Sequence, residues 1–495
     1  MRKLVRAGVA VAVLAAAGFA WAVNPPPAAA EPECLWISND YNRDGRTDVA
    51  IGAPGATSAA GAVEVKVSEG DATHTYRVTP PDGRAGDQFG AAVAEVAATE
   101  GDLDQERCSQ LVVGAPGRDV AGRADAGAIY VYAFIQNQGF ALVSSYTLDS
   151  PGVPGTAQAN ARFGAALAAP FHADDIGPVQ TPLYVGAPGY TVGTAKGAGA
   201  FLRLTFTTDD DQAVDTGSIV TQDSAGVPGA AEAGDALGSA LAATPYGVVA
   251  GTPGEDLGSA NNAGSVLYWH TDPAAETIGV NQNTAGIPGA VEAGDQFGSA
   301  LYDIQEGRED TGNGELLVGI PRENVGRAVD AGMVTLIPVV GGSFQPGRAI
   351  GYTQNTQGVA GTAEAYDHLG ATVGSYGPYR PLAGVPGEDV GTVADAGMVE
   401  ALDQSRAWTE NTAGQPGRAE NGDRFGAVIG NALVPYVGVE DWYLGSLLVG
   451  VPGEDGARGA VAHGLVGPGS QHPEEWKAQQ PHDGDRYGSA LGKYD

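Results

Sequence analysis

The chain has 495 residues, of which 76 are Gly and 31 are Pro, a density of backbone specialists that argues against long helices. Lys and Arg number 26 against 59 Asp and Glu, and a net charge of -33 repels polyanions, which argues against nucleic acid or anionic lipid as partners. Apolar residues make up 43% and recur in short patterned runs along the whole length, which disfavours a disordered chain.

At the N-terminus, Arg2, Lys3 and Arg6 precede an apolar stretch from Ala7 to Ala20, and Ala-x-Ala sites end at Ala22 and Ala30. The expectation is a signal peptide over residues 1–30, cleaved to give a secreted product with no membrane insertion. An uncleaved anchor is the alternative; against it, the stretch is shorter than the roughly 20 residues a span requires. Cys34 and Cys108 are the two cysteines, and in an exported chain they read as one disulfide, with two unlinked thiols as the alternative.

Next comes DYNRDGRTD, in which Asp40, Asn42 and Asp44 alternate, Gly45 follows and Asp48 closes. Oxygen-bearing side chains at positions 1, 3, 5 and 9, a glycine at 6 and the carbonyl of Arg46 at 7 suit a hard cation, with Ca2+ the best fit. Position 12 is Ile51 rather than Glu and a strand-like VAIGAP follows, so this is not an EF-hand. An acidic turn without metal is the alternative.

From here the chain repeats. An apolar run ending in Gly-x-Pro occurs at Gly52, Gly114, Gly186, Gly251, Gly319, Gly384 and Gly450, a period near 66 residues. Gly-Asp-x-Phe-Gly or a variant recurs in phase, its last glycine at Gly90, Gly164, Gly238, Gly298, Gly370, Gly426 and Gly488. A third glycine (Gly61, Gly127, Gly199, Gly264, Gly332, Gly397, Gly459) opens runs such as AIYVYAF and GSVLYWH, and lies 13 residues after Gly-x-Pro in five copies and 9 in the other two. Near-constant offsets of this kind predict a loop of fixed length between two strands, and the runs are short, rich in Val, Ile, Leu and Tyr, and bounded by turn formers.

Each unit therefore holds several short strands that cannot bury both faces alone. Seven such units, stacked radially and covering residues 31–495, predict an all-β fold, a seven-bladed β-propeller. The first Gly-x-Pro has no Phe-Gly before it, and the last element, Arg486-Tyr487-Gly488, has no Gly-x-Pro after it. The two halves complete each other, so about 478–495 and about 34–82 are predicted to build one composite blade that closes the ring.

GAPG at Gly52, Gly114 and Gly186, together with FG at Phe89, Phe163, Phe297 and Phe425, resembles the FG-GAP repeat of integrin α-subunit propellers and of bacterial proteins that share it. The resemblance covers the chain after the leader. It implies that Phe-Gly opens the inner strand of each blade, that Gly-x-Pro ends the second, and that the calcium loop lies between first and second strands. In the second unit Asp102 and Asp104 keep two ligand positions, but Glu106 and Gln110 replace the others. Cys108 holds the place before Gly114 that Arg46 holds before Gly52, on the blade adjacent to Cys34, which supports the bridge.

Arg118-Asp119, Glu255-Asp256, Glu388-Asp389 and Glu454-Asp455 follow Gly-x-Pro-Gly, on the face that the resemblance assigns to ligand binding in integrins. They suit either cations or a basic partner, or simply cap the turn, the stronger reading. Asp235, Asp295, Asp367, Asp423 and Asp485 recur before the second motif, and recurrence in most blades points to structure rather than catalysis. Trp408, Trp442 and Trp476 read as blade packing first and as sugar-stacking loop residues second. No His-x-x-x-His or Gly-x-Ser-x-Gly appears, so the chain is expected to act as a binding or adhesion module for an extracellular protein or glycan, not as an enzyme. The rival is a hydrolase or lyase acting on extracellular polysaccharide, and a purely structural scaffold is a third possibility.

Overall fold

A computed structural model describes residues 39–491 apart from 70–71, 98–108, 171–181, 207–212, 306–312, 377–379, 416, 434–444, 465–473 and 480. The leader, Cys34 and Cys108 lie outside the described residues. What is described is a seven-bladed β-propeller of seven antiparallel sheets, with two helical elements of four residues each and one 3-10 turn.

The second blade shows the plan: Ala92–Ala97, Ser109–Ala115, Ala128–Ile135 and Gly139–Tyr146 pair in that order from the axis outward. The second strand, SQLVVGA, is buried along its full length. It has blade neighbours on both faces, so continuous apolar sequence suits it better than alternation. Outer strands face water on one side and carry mixed sequence, as ATHTYRV does at Ala72–Val78. In the fifth blade the third strand, Met333–Val340, pairs with two short outer pieces, Ser343–Phe344 and Ile350–Tyr352.

Closure is composite. Ala490–Leu491 pairs antiparallel with Val49–Ala53, matching Ile51 with Leu491 and Gly52 with Ala490, and Ala62–Glu69 and Ala72–Val78 complete that sheet. The innermost strands touch in sequence around the axis, and Ala490–Leu491 contacts both Val428–Leu433 and Ala92–Ala97. The apolar core is distributed between blades: one cluster joins Val63 and Val65 of the first to Leu111 and Tyr130 of the second, and another joins Leu448 and Val461 of the seventh to Ile51 and Leu491. Burial between blades, more than within one, holds the ring.

The recurring glycines explain how blades approach so closely. The N–H of Gly90 donates to the carbonyl of Gly114 at 2.9 Å within one blade, while a Cβ on Gly114 would stand 2.0 Å from the carbonyl oxygen of Gly164 in the next. The same two relations hold at all seven junctions and return through Gly450, Gly488 and Gly52. Either motif alone is half of this contact, which is why the two stay in phase.

Candidate functional site

The acidic loop sits at the entry to Val49–Ala53, its backbone folded around its own carboxylates. Asp40 accepts from the N–H of Asp44 (3.1 Å) and of Gly45 (2.9 Å), and Gly45 takes φ +82°, a turn that side chains resist. Asn42 Oδ1 accepts from Asp44 N–H at 3.2 Å, and Asp44 accepts from Arg46 N–H at 3.0 Å. Asp48 accepts from the N–H of Tyr41 and of Ser68, both at 2.9 Å. Asp40 and Asp48 are each 2% exposed, whereas Asp44 faces solvent.

The structure thus gathers Asp40, Asn42, Asp44 and Asp48 into one turn, with Arg46 on its rim. It adds a residue that sequence reasoning missed. Ser68, on the neighbouring strand, donates its hydroxyl to Asp44 (3.1 Å) and Asp48 (3.3 Å), and its carbonyl accepts from the Asn42 amide. Strand pairing delivers it, because Val49 stands opposite Lys66. Glu95 of the second blade also reaches the loop, through the N–H of Asn39.

Burial pushes the Asp48 carboxyl up to about 8, with the charges of Asp40 and Asp44 adding to it. Burial likewise raises Asp40 to about 6, Asp44 contributing, despite the backbone N–H groups that favour its charged form. Two buried acids beside a third offer the oxygen ligands that a hard cation takes, although in this structure their oxygens accept from backbone N–H groups.

The face at the other end of these strands carries the loops that follow Gly-x-Pro and the segments that precede the inner strands. There the in-phase aspartates serve the backbone: Asp235, Asp295, Asp367, Asp423 and Asp485 each accept from the N–H three residues earlier. Asp119, Asp256 and Asp389 accept from N–H groups six residues on, so the turn-capping expectation describes them. Glu255 and Glu388 instead turn inward, onto the amides of Gln222 and Gln354. Arg118 pairs with Asp87 at 2.6 Å and with Asp82.

Residues 38–66 match the FG-GAP repeat family model. The match spans the acidic loop, the first Gly-x-Pro and the start of the next strand, and the chain is a seven-bladed propeller carrying an FG-GAP repeat. No curated protein matches the chain.

Around that FG-GAP repeat, the described candidate tryptophans, Trp408 and Trp476, are packing residues. Trp408 is a strand residue buried in the core, and Trp476, also on a strand, packs on His463 with ring centroids 3.9 Å apart; Trp442 lies outside the described residues. Asp102, Asp104 and Glu106 also lie outside them, and Gln110 is buried.

One aromatic behaves differently. The residue before the recurrent Asp is Gly86, Gly234, Gly294, Gly422 or Gly484 in five blades, and in a sixth, where Ala161 replaces the Asp, it is Asn160, all at positive φ. In the remaining blade it is Tyr366, at φ +73° and 58% exposed. Its N–H donates to the carbonyl of Val329 at 2.9 Å, and Val329 is itself exposed.

Proposed function

We propose that this FG-GAP propeller is an exported, calcium-binding recognition module that holds an extracellular protein or glycan on the face bearing the Gly-x-Pro loops, and that it is not an enzyme. Tyr366 carries this reading. A bulky residue in the left-handed region costs about 1–3 kcal/mol, where glycine would cost none. More than half of this residue nevertheless stands in water, and among the described residues its ring meets only the His368 ring, at 6.4 Å between centroids, so little packing offsets the strain. An exposed ring maintained at such a position suits contact with a sugar face or an apolar side chain of a partner.

Calcium has a supporting role on the opposite face. Asp40, Asn42, Asp44 and Asp48 would hold it with the carbonyl of Arg46, and Ser68 orients two of those carboxylates. A bound ion neutralises buried charge in the blade that closes the ring, so its contribution is rigidity rather than chemistry.

The test is a glycan and protein array probed with and without a calcium chelator, using the wild-type chain and Y366A. The expected result is a ligand signal that Y366A reduces at least tenfold while its circular dichroism and melting stay those of wild type. Capture that is indifferent to Y366A, or turnover of a labelled polysaccharide in the same screen, would overturn the reading.

A further inference from the structure

The connections that lead from one blade to the next carry a second series of contacts, read across the repeats. Five of the outer strands are followed by a short turn of one pattern: TLDS at Thr147, TQDS at Thr221, NQNT at Asn281, TQNT at Thr353 and TENT at Thr409. The second residue of that turn points at the residue after Gly-x-Pro-Gly, or its equivalent, in the next blade. Four of these junctions are matched pairs. Leu148 and Tyr190 pack in one apolar cluster, and the amides of Gln222, Gln282 and Gln354 donate to Glu255, Glu323 and Glu388.

At the fifth junction the amide is replaced by an acid. Glu410 faces Glu454, and Asp423 completes the group: one carboxylate oxygen from each lies within 4.8 Å of the others, and all three residues are buried. Oε2 of Glu410 and Oε2 of Glu454 are both buried without a hydrogen-bond partner, on residues 4% and 5% exposed. Lys477 serves the other oxygen of Glu454 at 3.2 Å, but it is shared with Asp455 at 2.7 Å and Glu475 at 3.3 Å. Among the described residues no cation pairs with Glu410.

We propose that Glu410, Asp423 and Glu454 form a second divalent-cation site, best suited to Ca2+, on the face of the propeller opposite the Asp40–Asp48 loop. A buried acid pair of this kind needs positive charge. One shared proton could bridge the two partnerless oxygens but would leave two carboxylate charges in the buried cluster, whereas a divalent ion binds both oxygens and offsets two charges. Calcium takes about six to eight oxygens at about 2.3–2.6 Å in flexible geometry, which three carboxylates can begin to supply, whereas magnesium demands a near-ideal octahedron and usually keeps several waters.

The experiment uses the full chain with Ca2+ and, separately, Mn2+ alone as probes. Calorimetric titration and Mn2+ electron paramagnetic resonance would count ions bound to D44A and to D44A/E410Q, so that the loop and this cluster are judged separately. E410Q recreates the amide–acid pair found at three other junctions, so it is expected to fold and to melt at or above the D44A value. The expected result is one ion per D44A chain and at least a tenfold loss of affinity for it in D44A/E410Q. An ion-free D44A chain, or equal binding by the two variants, would overturn the proposal. E410Q alone should keep the loop ion, so failure of the cluster leaves the loop reading standing.

Discussion

The interblade glycine contact makes a sharp prediction at Gly319. A Cβ placed there would stand 2.0 Å from the carbonyl oxygen of Gly370 and 3.1 Å from Ala300 Cβ. That oxygen must retreat by more than about 1 Å to reach an ordinary contact, and it belongs to the residue whose N–H donates to Gly384 at 3.0 Å. Overpacking costs about 1–3 kcal/mol and a weakened hydrogen bond about 1 kcal/mol more, so G319A should destabilise by about 2–4 kcal/mol. The comparison is G326A: Gly326 has φ +67° but nothing within 4 Å of a new Cβ, so only the conformational cost of about 1–2 kcal/mol applies. At roughly 2 °C per kcal/mol for a large domain, differential scanning calorimetry should place G319A about 4–8 °C below wild type and G326A about 2–4 °C below it. If G319A melts with wild type, or no lower than G326A, blade contact is not what fixes these glycines.

Two further outcomes are expected. In an E410Q background, where the loop is the ion site that remains, D44A should remove most of the melting difference that a calcium chelator makes; for one site that difference amounts to about 2.7 kcal/mol when calcium is in hundredfold excess over its dissociation constant. A chelator effect as large in D44A/E410Q as in E410Q would argue against the loop as the ion site. Glu400 is fully buried, and burial, with the charge of Glu388 adding, pushes its carboxyl up to about 8. Its folded pKa lies above the unfolded value near 4.5, so the folded chain holds the extra proton and stability should fall as pH rises from about 4.5 through about 8. E400Q should flatten that part of the pH–stability curve and stabilise the chain at pH 8 by on the order of 4 kcal/mol, measured by denaturant unfolding. An unchanged slope would mean that Glu400 is already compensated.

The architecture was legible because the geometry that demands it is written in glycine. Gly-x-Pro and Phe-Gly are two sides of one backbone contact, so neither drifts, and the unmatched halves at Gly52 and Gly488 foretold the pairing of Ile51 with Leu491. The loop was legible for a similar reason: Asp40 to Asp48 are consecutive and their spacing is the ligand pattern. Ser68 was not, because a strand register brings it in from 20 residues beyond Asp48. Glu410 was hidden in a chain with 59 acids, and stands out only when TENT is aligned with TQNT and TQDS. Tyr366 was equally visible as a non-glycine in a glycine slot, but its meaning needed the sign of φ. Trp408 and Trp476 read as packing residues and are so, though as strand residues rather than loop residues.

The pairing of Ile51 and Gly52 with Leu491 and Ala490 has a consequence for how the molecule is born. A polypeptide emerging N-terminus first carries Val49–Ala53 with its inner side unpaired until the last residues of that strand arrive, some 440 residues later in synthesis, at Ala490. Throughout that interval the unfinished wheel offers a bare edge to any other nascent copy. Secretion before folding, or a holdase that shields this edge, would keep neighbouring chains from supplying the missing strand to one another.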